Sequence, residues 1–212
     1  MLSKMDYSGR HIKIGGISTS EREIKDILKA WIAISLAFGI LLSDSLFSFD
    51  FYQKFVMASL TVGIGFLLHE LGHKIVAQKY GCFAEFRSFD TMLILAVAMS
   101  FFGFVFAAPG AVMISGRVDK TKNGMISAAG PLVNIGLALI FLALLSIQAQ
   151  NLFKEAFYYG FVVNSWLALF NMIPFGLFDG SKILKWNKFA YAGIIVFAGI
   201  LMLLQGFVRI PK

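Results

Sequence analysis

Of the 212 residues only one is cysteine, Cys82, and three are histidine. A single thiol can neither close an intramolecular disulfide nor build a zinc or iron–sulfur site from several cysteines, so a bound metal must be held by His, Asp or Glu. Charge is scarce too. Asp, Glu, Lys and Arg make up 15% of the chain and hydrophobic residues 58%, against about 25% and about 45–50% in a soluble domain. With a mean hydropathy of +0.77, that balance excludes a large soluble domain and specifies a membrane protein. The net charge of +7 points to lysines and arginines gathered on the inner side of a membrane, not to nucleic acid. Residues 1–27 hold Lys4, Arg10, Lys13, Arg22 and Lys25 but no apolar run of signal-peptide length, so no cleavable leader is expected.

Five apolar stretches have the length of crossings, at about 28–42, 55–77, 128–147, 156–173 and 189–208, where a spanning helix needs about 20 residues. The first is introduced by Ser20 and Glu23, a capping-box spacing. A sixth run, 92–108, stops at Pro109–Gly110 and is borderline between a crossing and a re-entrant element. Short strands are expected at 11–15 and 111–114. No repeat or low-complexity segment interrupts the pattern. The fold expected is an all-α polytopic membrane protein of about five transmembrane helices, with a re-entrant 92–108 and a small β element. It forms one membrane-embedded domain over 1–212, with a cytoplasmic segment at 1–27 and a core at about 55–185.

His69–Glu70–Leu71–Gly72–His73 fits H-E-x-x-H. On a helix, positions i and i+4 share a face with Cβ atoms about 5–6 Å apart, so two imidazoles can reach one zinc ion at about 2.0–2.1 Å. The Glu beside the first His is then placed to take a proton from metal-bound water. A chance match would need two of only three histidines to fall four apart with a Glu correctly set between them. The motif directly follows the apolar run Phe55 to Leu68, and ionisable residues at membrane depth default to function.

A catalytic zinc takes a third protein ligand, for which the later acids are Glu85, Asp90, Asp119, Glu155 and Asp179. Glu85 and Asp90 lie close behind the motif helix, Asp119 sits among lysines, and Glu155 belongs at the opposite membrane face. Asp179 follows Pro174 and Gly176, which loosen the helix and let the chain unwind at membrane depth. The other reading of Asp179 is a helix-ending residue at the interface.

Three motifs in order, His69–Glu70–Leu71–Gly72–His73, then Ala129–Gly130–Pro131–Leu132–Val133–Asn134, then Asn171 through Asp179–Gly180, resemble those of the site-2 protease family of intramembrane zinc metalloproteases. The resemblance covers roughly residues 60 to 185 and is to a compact form without a PDZ or CBS domain. It implies that His69, His73 and Asp179 bind one Zn²⁺, that Glu70 is the general base, and that Asn134 lies in the active site and contacts the substrate, the other reading of Asn134 being a residue that hydrogen-bonds between helices. It also implies cleavage of a peptide bond in or at the edge of a substrate protein's transmembrane segment, within the lipid bilayer. A metalloprotease of the prenyl-protein processing type, with a late Glu as third ligand, and a non-catalytic metal-binding membrane protein are the alternatives.

Charge counting sets the expected topology. Five crossings with the N-terminus inside put fifteen of the nineteen Lys and Arg on the inner side, whereas a sixth crossing at 92–108 reduces that to twelve. The expected location is a prokaryotic cell membrane, with the N-terminus and the active-site end cytoplasmic.

Overall fold

The computed structural model describes residues 11–46, 48–105, 109–147 and 151–208. Lys4, Arg10, Arg209 and Lys212, and the 106–108 end of the sixth apolar run, lie outside them. The described chain is mostly helical, with four short strands in two antiparallel pairs.

Strands β1 (His11–Ile14) and β2 (Ile17–Ser20) form a hairpin that leads directly into helix α1 (Glu21–Leu42). Ser20 caps α1 as its spacing to Glu23 predicts, its hydroxyl accepting the Glu23 N–H at 3.2 Å. The Glu23 carboxylate does not complete the capping box. It accepts from Thr19 Oγ1 at 2.7 Å, from the Phe86 N–H at 2.8 Å and from Lys74 Nζ at 2.5 Å. Glu23 is 0% exposed and Lys74 4%, so this is a buried ion pair joining α1 to the motif helix.

The second apolar stretch begins earlier than its sequence suggests. Ser48 caps α2 (Phe49–Ala58) by accepting from Phe51 N–H, and Asp50 lies in the first turn, where a carboxylate favours the helix N-terminus. A π-helical turn, Ser59–Gly63, joins α2 to α3 (Ile64–Lys79), making one apolar helix of 31 residues. At about 1.5 Å per residue it is roughly 46 Å long. His69 therefore lies about 30 Å from its start.

Strand β3 (Phe83–Ser88), unexpected from the sequence, pairs with β4 (Gly110–Ser115) in the register Phe86↔Val112. Between them runs α4 (Asp90–Ser100). Phe89 N–H bonds to the Pro109 carbonyl at 3.0 Å, so the excursion ends where it began. An eleven-residue helix reaches about 16 Å, half of a hydrocarbon core of about 30 Å. The chain thus leaves Phe89 as a short helix and is back beside it at Pro109.

Helix α5 (Lys120–Ser146) starts eight residues before the expected span, capped by Asp119, which accepts from Lys122 N–H at 2.8 Å. It is the other helix long and apolar enough to cross a membrane among the described residues. The remaining three expected crossings correspond to α1, α6 (Asn151–Asn171) and α8 (Lys188–Leu204). Six of the first nine residues of α1 are charged, and α8 has 17 residues. Between α6 and α8 the chain leaves the helix at 172–178, as Pro174 predicts, and re-enters it in α7 (Asp179–Trp186).

Two cores result. Helices α5, α6, α7 and α8 meet around Ile135, Phe161, Met172, Ile183 and Leu201. Helix α1, the π turn, α3, β3 and α4 meet around Ile34, Val62, Phe66, Phe86 and Leu93.

The Glu23–Lys74 pair yields a test. Lys74→Met leaves a buried carboxylate uncompensated and should cost about 3–5 kcal/mol, read as a lower midpoint of thermal unfolding in detergent. Adding Glu23→Gln removes the stranded charge and should recover most of the loss. A double variant no more stable than Lys74→Met would mean that charge pairing is not what the contact supplies.

Candidate metal centre

Four residues apart on α3, His69 and His73 turn their Nε2 atoms to the same point, 3.0 Å from each other. Asp179, the first residue of α7, brings its Oδ2 to 3.4 Å from the first and 3.0 Å from the second. All three side chains are buried. Ligand atoms at about 2.0–2.1 Å around a tetrahedral zinc lie about 3.3–3.4 Å apart, so this triangle of two nitrogens and one carboxylate oxygen fits zinc and leaves a fourth position open.

Each of the three side chains is held from behind. His73 Nδ1 donates to the Ile126 carbonyl at 2.7 Å, which leaves its Nε2 with a lone pair for a metal. His69 Nδ1 meets Asn134 Oδ1 at 2.6 Å. Asp179 is brought in by the turn before it, where the Met172 backbone packs so tightly on Gly180 that a Cβ there would lie 2.2 Å from the Met172 oxygen. The Ser181 hydroxyl closes the same turn on the Phe178 carbonyl at 2.9 Å.

Room for the imidazoles comes from α5. A Cβ on Gly130 would stand 2.4 Å from His73 Nε2 and 2.5 Å from His69 Nε2. Pro131 follows inside the helix, where it removes a backbone donor and crowds the carbonyl four residues back. From Ile126 through Asn134 one short stretch of α5 therefore supports both histidines.

Glu70 lies beside the triangle. Its ligand atom and those of His69 and His73 fall within 4.8 Å of one another. Its Oε2 accepts the Val112 N–H at 3.1 Å. In an antiparallel pair alternate residues turn their backbone groups outward, and Phe86 N–H, opposite Val112, points out to Glu23. The outward edge of β4 thus faces the motif helix.

The residues set aside in the sequence lie elsewhere. Glu155 pairs with Lys54, at the far end of the long helix. Asp119 caps α5, Asp90 bonds to Lys29 at 2.7 Å, and Glu85 pairs with Arg87. No glutamate takes the place that the late-Glu alternative requires. Asn134 is 0% exposed and turned onto His69, which makes it an orienting group in this geometry. The carbonyl of Ile126, the gap at Gly130 and the Val112 N–H escaped the sequence reading. Gly130 beside Pro131 in a helix was the one available signal.

No family model matches the chain. A Methanocaldococcus jannaschii protein assigned as a zinc metalloprotease is 41% identical over 178 residues, spanning 82% of this chain and 88% of its own length. A second zinc metalloprotease of that organism is 29% identical over 85% of this chain, which covers 45% of it. A solved site-2 protease, also from Methanocaldococcus jannaschii, aligns over 94% of this chain and 91% of its own at 23% identity and a TM-score of 0.42.

Metal analysis after dialysis tests the centre. Asp179→Ala should lose bound zinc, and Gly130→Ala should do the same by driving a methyl group into both imidazoles. Full stoichiometric zinc in Asp179→Ala would place the third ligand elsewhere.

Proposed function

The chain belongs to the zinc metalloprotease family of its 41%-identical archaeal relative, and on that premise we propose that it hydrolyses a peptide bond within or at the edge of a substrate protein's transmembrane segment. The observation that carries the reading is the meeting of His69, His73 and Asp179 beside Glu70, on a helix whose apolar length is that of a membrane crossing. The domain proposed for this activity is the whole chain, with its catalytic core at about 55–185.

His69, His73 and Asp179 would hold a zinc ion, which would lower the pKa of a bound water and polarise the scissile carbonyl. Glu70 takes the proton of the attacking water on its carboxylate and passes it to the leaving amine nitrogen. A helical substrate hides its carbonyls in its own hydrogen bonds, so it must unwind before attack. An extended segment then has a place to pair, the outward edge of β4, where the Val112 N–H sits one hydrogen bond from Glu70. Asn134, already committed through Oδ1 to His69, keeps an amide hydrogen for a substrate carbonyl.

The topology proposed is five crossings in a prokaryotic membrane, with the active-site end cytoplasmic. Two features support it. Helix α5 leaves the site from Ile126, and α6 returns to it just before Asp179, one outward and one return pass. The sixth apolar run closes on itself at Phe89 and Pro109.

Purified Glu70→Gln should keep its zinc and lose cleavage of a transmembrane model substrate by orders of magnitude. Turnover at the parental rate would refute the protease reading. For topology, in a Cys82→Ser background, a cysteine at Lys120 should resist an impermeant thiol reagent added outside intact cells, while one at Ser146 should react. Labelling of position 120 from outside would overturn the orientation.

A further inference from the structure

Behind His69 runs a chain of two buried amides. Asn134 Nδ2 lies 3.2 Å from Asn164 Oδ1, and Asn164 Nδ2 lies 2.8 Å from the Gly160 carbonyl, one turn back on α6. Both asparagines are 0% exposed, so each polar atom must find its partner inside the protein. The direction of every bond follows from one end. A backbone carbonyl only accepts, so the amide nitrogen of Asn164 must face Gly160. The oxygen of Asn164 then faces Asn134 and has to receive a donor, which is the amide nitrogen of Asn134. That leaves the Asn134 oxygen toward His69, where it has to receive a proton as well. The Nδ1 of His69 supplies it, and Nε2 is left with a lone pair toward His73 and Asp179.

Helix α3 leaves space for this chain at Gly65, one turn before His69. A Cβ there would stand 2.5 Å from Asn164 Oδ1.

We propose that Asn164 is a positioning residue for the metal centre, setting the tautomer and the ring orientation of His69 through Asn134. The proposal rests on the reading of His69 as a zinc ligand. His73 has its own anchor, the Ile126 carbonyl, so the two imidazoles are fixed by backbone carbonyls on two different helices, one directly and one through two side-chain amides. Partners of this kind behind a metal-bound histidine raise affinity about 10–100-fold.

The test uses the full chain in detergent and zinc alone, titrated in competition with a chelator. Asn164→Leu and Gly65→Ala should each weaken zinc binding roughly 10–100-fold, with one zinc per chain still bound at saturation. Gly65→Ala changes none of the hydrogen-bonding groups and favours the helix, and its midpoint of thermal unfolding, measured beside the affinity, separates a displaced amide from a folding defect. If Asn164→Leu does not fold, Gly65→Ala decides. Nitrogen NMR of ¹⁵N-histidine protein, free of metal, adds a readout that general loosening would not give: His69 should pass from a pure Nδ1–H tautomer to a mixture. Parental zinc affinity in Gly65→Ala, or an unchanged His69 tautomer in either variant, overturns the proposal. A parental chain that binds no zinc overturns the metalloprotease reading instead.

Discussion

The site depends on how closely other helices can approach α3. That helix carries His69, Glu70 and His73 and is packed on several sides, with two of the contacts made at its own glycines and a third at Gly63, the last residue of the π turn before it. A Cβ on Gly63 would meet the Trp31 ring of α1 at 2.7 Å, one on Gly65 the Asn164 amide of α6, and one on Gly72 the Val133 side chain of α5 at 3.0 Å. Gly130 answers from the α5 side. Inside a bilayer, where lipid tails are as apolar as any side chain, such small-residue contacts are what bring helices together. Here the closeness has a chemical use, because backbone carbonyls and short amides reach the imidazoles only at that distance. Glycine costs about 1 kcal/mol in a helix interior, and the cost is met where it brings a carbonyl or an amide against a ligand.

Much of this was legible in the sequence because it follows from spacing within one element. The His69–His73 pair, the Ser20 cap and the break after Pro174 follow from helix period, capping chemistry and the donor that proline lacks. What was not legible depends on contacts between elements. Strand β3 carries Glu85, Arg87 and Ser88 among its aromatics, which reads as an interfacial loop until β4 is seen beside it. Glu23 was read as half of a capping box, yet its carboxylate is taken by Lys74, 51 residues away, and by the Phe86 N–H. Asn164 gave no signal at all, since its partners are a carbonyl one turn back and an amide on another helix.

Two sets of contacts divide the work of the site. His69, His73 and Asp179, the residues proposed to hold zinc, are oriented by the first: Ile126 and Asn134 of α5 hold the histidines, and the turn at Met172 and Gly180 delivers Asp179. The base and the strand edge are oriented by the second. Glu23 grips Lys74 on α3 and Phe86 on β3, Phe86 is registered opposite Val112 on β4, and Val112 N–H returns to Glu70 on α3. That ring of contacts starts and ends on one helix, so a shift of the β3–β4 pair along α3 would have to break the buried Glu23–Lys74 pair or release Glu70. Both sets of contacts close on α3. His69, His73 and Glu70 are therefore held relative to one another within a single helix, and any shift of Asp179 or of the β4 edge would be a shift against that fixed group.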